Sequence, residues 1–153
     1  IVTSGTENAG IGALRWKGYQ AAITDNGLTL DKNLTAVTND SFEIKAAYEA
    51  VKELLDTAEF TCVFAISDIM AMGAICAISE RGLRVPEDIS VVGFDGIELG
   101  AYYNPPLTTI SFPAQKMAEG ISEMLMSTLE DKAPTEHRVF KAQLVERRSF
   151  CAR

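Results

Sequence analysis

From Ile1 to Asp95, short β-branched or apolar runs alternate with longer stretches of helical periodicity, and no other property of the chain narrows its fold as far. The strand-like runs are residues 1–3, 34–37, 60–66 and 89–94. The run 60–66 is almost entirely apolar, as expected of a strand covered on both faces. Residues 9–26 read as a helix with Ile11, Leu14, Gly18 and Ala22 on one face and Gly27 as its C-cap. Ser41 is the candidate N-cap of a second helix, in which Ile44, Ala47, Tyr48, Val51, Leu54 and Leu55 form a stripe. A third helix begins at Ser67 or Asp68 and ends at Arg81 and Gly82. This order predicts an α/β chain with a parallel sheet and right-handed crossovers.

The third helix is apolar nearly all round, through Ile69, Met70, Ala71, Met72, Ala74, Ile75, Cys76, Ala77 and Ile78. A surface helix keeps a polar face. One side is therefore expected on the sheet, and the other on a second subunit or inside a larger domain. Beyond Asp95 the rhythm changes. Asn104-Pro105-Pro106 breaks the chain, residues 107–111 read as a strand, and Pro113 suits the first position of a helix over 113–129. That helix has Met117, Ile121, Met124, Leu125 and Thr128 on one face. Residues 131–135 connect to two weak strands, 138–142 and 144–149.

Composition removes several classes of function. At 153 residues, 47% apolar and 23% charged, the chain has the size and balance of one globular domain. No apolar run approaches the ~20 residues that span a bilayer, so no membrane role is expected. The net charge is −7 and the basic residues are scattered, the densest group being Arg147, Arg148 and Arg153. A chain that gripped DNA by itself would carry a basic stripe to replace phosphate counterions. The three cysteines, Cys62, Cys76 and Cys151, are odd in number and lack CxxC spacing. They fit a reducing, cytoplasmic setting better than a disulfide scaffold. A lone histidine, His137, leaves too few ligands for a metal, and no cofactor is expected. The opening IVTSG has no basic segment before an apolar one, so it reads as a strand entered mid-domain of a longer protein, not as a signal peptide.

Ligands of open parallel sheets sit at the carboxyl ends of the strands. Three such ends are polar here: Thr3-Ser4 through Asn8, Ser67-Asp68, and Asp95. Asp68 and Asp95 read either as a carboxylate pair or as a helix cap and a turn residue. Enzyme signatures are absent: there is no phosphate loop and no GxSxG elbow, and Gly10/Gly12 lack dinucleotide spacing.

Longer stretches carry more information. Residues 65–74 (AISDIMAMGA), 80–95 (ERGLRVPEDISVVGFD) and 105–110 (PPLTTI) resemble the LacI/GalR family of bacterial transcription regulators. The earlier Arg15-Trp16-Lys17-Gly18-Tyr19 matches that family's R-x-x-G-aromatic segment, and residues 143–149 are similar to its final strand. The resemblance runs in register over essentially the whole chain. It implies an incomplete periplasmic-binding-protein-like effector domain: a three-layer αβα subdomain over residues 1–103, a crossover strand and helix of the other subdomain over 104–130, and return strands over 131–153. It also implies a homodimer, a small-molecule effector that is a sugar or sugar derivative or, less favoured, a purine, and contact with operator DNA only through a headpiece absent here.

Carried over by residue, the effector contacts are Arg15, Asp95, Phe42 and Ser67. A guanidinium can fork onto two oxygens, and a carboxylate can accept hydroxyl protons. An aromatic face can stack on a sugar or base. Each has a plainer alternative: a surface ion pair for Arg15, a helix-start contact for Phe42, an N-cap for Ser67. Gly96 stands where many members carry a second acid. The implied dimer residues are Met72, Ile75, Ile78, Leu99, Tyr102 and Tyr103. A periplasmic sugar receptor for transport shares the fold and is the alternative reading.

Overall fold

The computed structural model describes residues 1–5, 10–129 and 137–152. Its elements are β1 (Val2–Thr3), α1 (Ile11–Asp25), β2 (Ala36–Val37), α2 (Ile44–Thr57), β3 (Cys62–Phe64), α3 (Asp68–Glu80), β4 (Ser90–Asp95), α4 (Glu98–Tyr102), β5 (Thr108–Ser111), α5 (Ala114–Leu129) and β6 (Gln143–Val145). β1 and β2 form one parallel pair, and β3-β4-β5-β6 form a second sheet, parallel except for β6. A parallel bridge between Val2 and Ala65, with the Ile66 N–H donating to the Val2 carbonyl at 3.1 Å, joins the two. The spatial order is thus β2-β1-β3-β4-β5-β6, the α/β architecture that the alternation predicts.

The all-apolar helix is covered within its own subunit. α3 lies between the sheet and α2, and the contact with α2 is so close that a Cβ on Gly73 would collide with the Ile44 carbonyl. Ala47, Val51 and Leu54 of α2 complete that layer. Met72, Ile75 and Ile78 are consequently 1%, 2% and 0% exposed. This corrects their assignment to a dimer interface: intramolecular packing has already taken those side chains out of reach of a partner.

Four local expectations also change. α1 buries Gly12, Ala13 and Trp16, while Ile11, Leu14, Gly18 and Ala22 are exposed. The helix docks by its small residues, because Gly12 approaches Ser4 and Gly5 too closely to allow a Cβ. Ser41 does not cap α2. Its hydroxyl accepts the Glu43 N–H at 3.2 Å in the preceding turn, and Glu43 occupies the N-cap position. Of residues 107–111, expected to leave for another subdomain, Thr108–Ser111 instead pair as β5 with β4, from Val92↔Thr108 to Asp95↔Ser111, and so lie in this sheet. Of the two terminal strands, only Gln143–Val145 forms, and residues 138–142 do not. The predicted turn at Thr6-Glu7-Asn8, the connection 131–135 and Arg153 lie outside the described residues.

The segment after β6 fastens the sheet. The Ser149 hydroxyl accepts the Thr108 N–H at 2.8 Å and donates to the Val91 carbonyl at 2.6 Å, and the Ser149 carbonyl accepts the Val91 N–H at 2.7 Å. α5 projects from this body. Ile121, Leu125, Met126 and Leu129 are exposed, and the chain around Phe140 and Arg138 meets it at Gly120. Gly73→Ala is expected to destabilise the protein by about 1–3 kcal/mol, because the added methyl overpacks a backbone contact that cannot yield. A urea midpoint equal to wild type would show that α2 moves aside freely.

Candidate functional site

The carboxyl ends of β3 and β4 meet the side of α1 at one arginine. Arg15 extends from α1 to donate through Nη1 to the Ile66 carbonyl and through Nη2 to Asp95 Oδ1 at 2.9 Å. Its Cζ lies 3.9 Å from the centroid of Phe94, so the guanidinium is held by a carboxylate, a carbonyl and an aromatic face together. The Arg15 side chain is 14% exposed and that of Asp95 35%. The pair therefore opens to solvent mainly through the carboxylate. Behind it runs a row of rings, Trp16, Tyr19, Phe64, Phe94 and Phe112, with neighbouring centroids 5.3–6.4 Å apart.

Asp95 sits at an unusual backbone position, with φ of 122°. That region favours glycine, and an aspartate held there is fixed by its surroundings. Gly96 follows at φ of 75°, where a Cβ would run into Ser111. The close approach of β5 thus accounts for a glycine where a second acid was the family expectation. Burial pushes the Asp95 carboxyl above its ordinary value, Arg15 pulls it back down, and the charge of Asp68 adds a smaller upward push.

The other candidates divide. Ser67 is 3% exposed, and its hydroxyl accepts the Met70 N–H at 3.1 Å, so it caps α3. Phe42 is 41% exposed and borders a cavity of about 220 Å³ with Ser4, Gly10, Ile11, Gly12 and Asp40, whose lining includes neither Arg15 nor Asp95. Ile11 is one turn ahead of Arg15 on α1, so that cavity and the ion pair share a helix face. Asn8 lies outside the described residues. Leu99 and Tyr102 are 54% and 80% exposed, and Tyr103 is half-buried with its hydroxyl 3.2 Å from Cys76 Sγ. Sequence reasoning missed the Ile66 carbonyl and Phe94. The alternation of residues along 89–94 was the available signal, since it places Phe94 on the same face as Val92 and toward α1.

Among the described residues no cluster of His, Cys, Asp and Glu could hold a metal ion, and no helix is long and apolar enough to cross a membrane. Arg15→Met is expected to raise the Asp95 carboxyl further, because it removes the cation and leaves the burial. Carbonyl-carbon NMR across an acid titration reads this directly, and an unmoved midpoint would mean that the pair is broken in solution. By sign, a carboxyl raised in the folded state favours the fold at low pH, and that contribution is lost as pH climbs through the raised value.

Known proteins share this fold. The family model described as a periplasmic binding protein-like domain matches residues 1–150. The HTH-type transcriptional regulator MalR of Clostridium butyricum is 41% identical over 141 residues, covering 92% of this chain and 42% of MalR. The HTH-type transcriptional repressor PurR of Vibrio atlanticus is 38% identical over 136 residues, covering 87% of this chain and 40% of PurR. Among solved structures, a sugar-binding LacI-family regulator of Escherichia coli, complexed with phosphate, superposes with a TM-score of 0.85 at 30% identity, covering 97% of this chain and 53% of that one. A complex of the transcriptional regulator CelR with cellobiose gives 0.87 at 28% identity, covering 97% and 46%. The chain thus spans less than half the length of the curated relatives it matches. With the parallel sheet and these matches in agreement, the chain belongs to the periplasmic binding protein-like domain family, in the form carried by LacI-type regulators.

Proposed function

We propose that this chain is the effector-sensing part of a LacI-type transcription regulator and that it takes a sugar or sugar derivative at the Arg15–Asp95 end of the sheet. The observation that carries this reading is the ion pair itself: a carboxylate open to solvent, able to accept hydroxyl protons, set beside a guanidinium with further donors. Phe42 supplies an aromatic wall nearer β1. Binding shifts the balance between open and closed arrangements of the complete domain, and so changes operator affinity of a headpiece outside this chain. The names of the relatives, a regulator and a repressor, support regulation over transport. A purine effector is the second reading, and the similarity to PurR favours it.

Two surfaces extend the proposal. Leu99, Tyr102 and Tyr103 form the self-association face of a homodimer, as the exposure of the first two supports. The exposed Ile121 and Leu125 of α5 pack on the other subdomain of the complete protein.

Calorimetric titration of the complete effector domain with mono- and disaccharides, and with guanine and hypoxanthine, tests the effector class. A sugar is expected to bind, and Arg15→Ala is expected to weaken it by roughly 10- to 100-fold, the worth of a charged hydrogen bond. Binding of purines alone would move the assignment to the second reading, and binding of neither would overturn both. Tyr102→Arg is expected to lower the sedimentation coefficient toward that of a monomer; an unchanged value would relocate the dimer face.

A further inference from the structure

The carboxylate of Asp68 is fully buried. It lies in the first turn of α3 and accepts two hydrogen bonds, from the Ile97 N–H at 2.8 Å and from the Thr109 hydroxyl at 2.5 Å. The same Thr109 oxygen accepts the Gly96 N–H at 3.3 Å. One buried acid thereby fixes both residues that follow Asp95, one directly and one through a threonine. Gly93 in β4 lies so near that a Cβ there would collide with Asp68 Oδ1, so the strand is shaped to admit the carboxylate. Asp95 is held at φ of 122° by whatever fixes the turn after it.

We propose that Asp68, through Thr109 and the Gly96–Ile97 backbone, is the positioning residue that holds Asp95 against Arg15. A helix cap would explain an acid at this position without any bond to the 95–97 turn. The Ser67 hydroxyl already fills the cap, which leaves Asp68 free for the turn. Ile97 also precedes α4, so the tether that sets the effector carboxylate sets the start of the helix carrying Leu99 and Tyr102. This inference rests on the effector reading above for its consequence, but the tether itself does not.

The test uses Asp68→Asn, Thr109→Val and Thr109→Ser. In this chain, with no ligand, the Arg15 guanidinium nitrogens are expected to give separate, slowly rotating NMR signals while Asp95 and the Ile66 carbonyl hold them. Those signals are expected to merge in Asp68→Asn and Thr109→Val and to stay separate in Thr109→Ser, which keeps the hydroxyl. Thr109→Val is nearly isosteric, so it answers even where Asp68→Asn fails to fold. Folded Thr109→Val with separate Arg15 signals would overturn the proposal. In the complete effector domain, sugar affinity is expected to fall roughly tenfold in Thr109→Val and to recover in Thr109→Ser. Merged Arg15 signals in Thr109→Val beside a wild type that binds no sugar would support the tether and remove the sugar reading. An additive loss in Thr109→Val combined with Asp95→Asn would count against action through Asp95.

Discussion

A charge shut away from water must find partners or cost the fold several kcal/mol, and Asp68 is the place where this chain meets that condition. Its two hydrogen bonds draw α3, the β4–α4 turn and β5 to a single point. Much of the geometry follows. β4 carries glycine at residue 93 because the carboxylate occupies the space, and β5 is kept beside β4 by a buried threonine. The deep burial of α3 extends the same layer toward α2, where Gly73 allows the two helices to touch through backbone.

The Arg15–Asp95 end of the sheet uses a different balance. Arg15 is not left as a free cation waiting for an anion. Its charge is matched by Asp95 and its plane rests on Phe94. An incoming anion would have to compete with Asp95 for the guanidinium. The unmatched part of the site is the outer face of the carboxylate, and that is an acceptor.

The alternation of runs made the parallel sheet legible, because period and length differ between a buried strand and an amphipathic helix. Of the candidate residues, Asp95 was legible at a strand end and Arg15 only through the family resemblance, and the two side chains come together. What the sequence could not show was depth. Ile11 and Leu14 look like the buried face of α1, yet Gly12 and Ala13 take it, because close approach to β1 rewards small side chains over large ones. Met72, Ile75 and Ile78 looked available to a partner because hydrophobicity does not say which neighbour covers it. Asp68 looked like a cap because position in the first turn is shared by caps and by acids with longer-range partners. Only the distance to Ile97 and Thr109 separates the two.

The strap at Ser149 bears on how such a chain is made. It fills the gap between the start of β5 and β4 from 41 positions further along the sequence. While the ribosome is still translating α5, the Thr108 amide and the Val91 carbonyl have no protein partner in that gap. Nascent chains whose pairing is this remote stay open longer and expose strand edges meanwhile. The bonds that Ser149 makes to β4 and β5 can therefore form only after almost the whole chain has been synthesised.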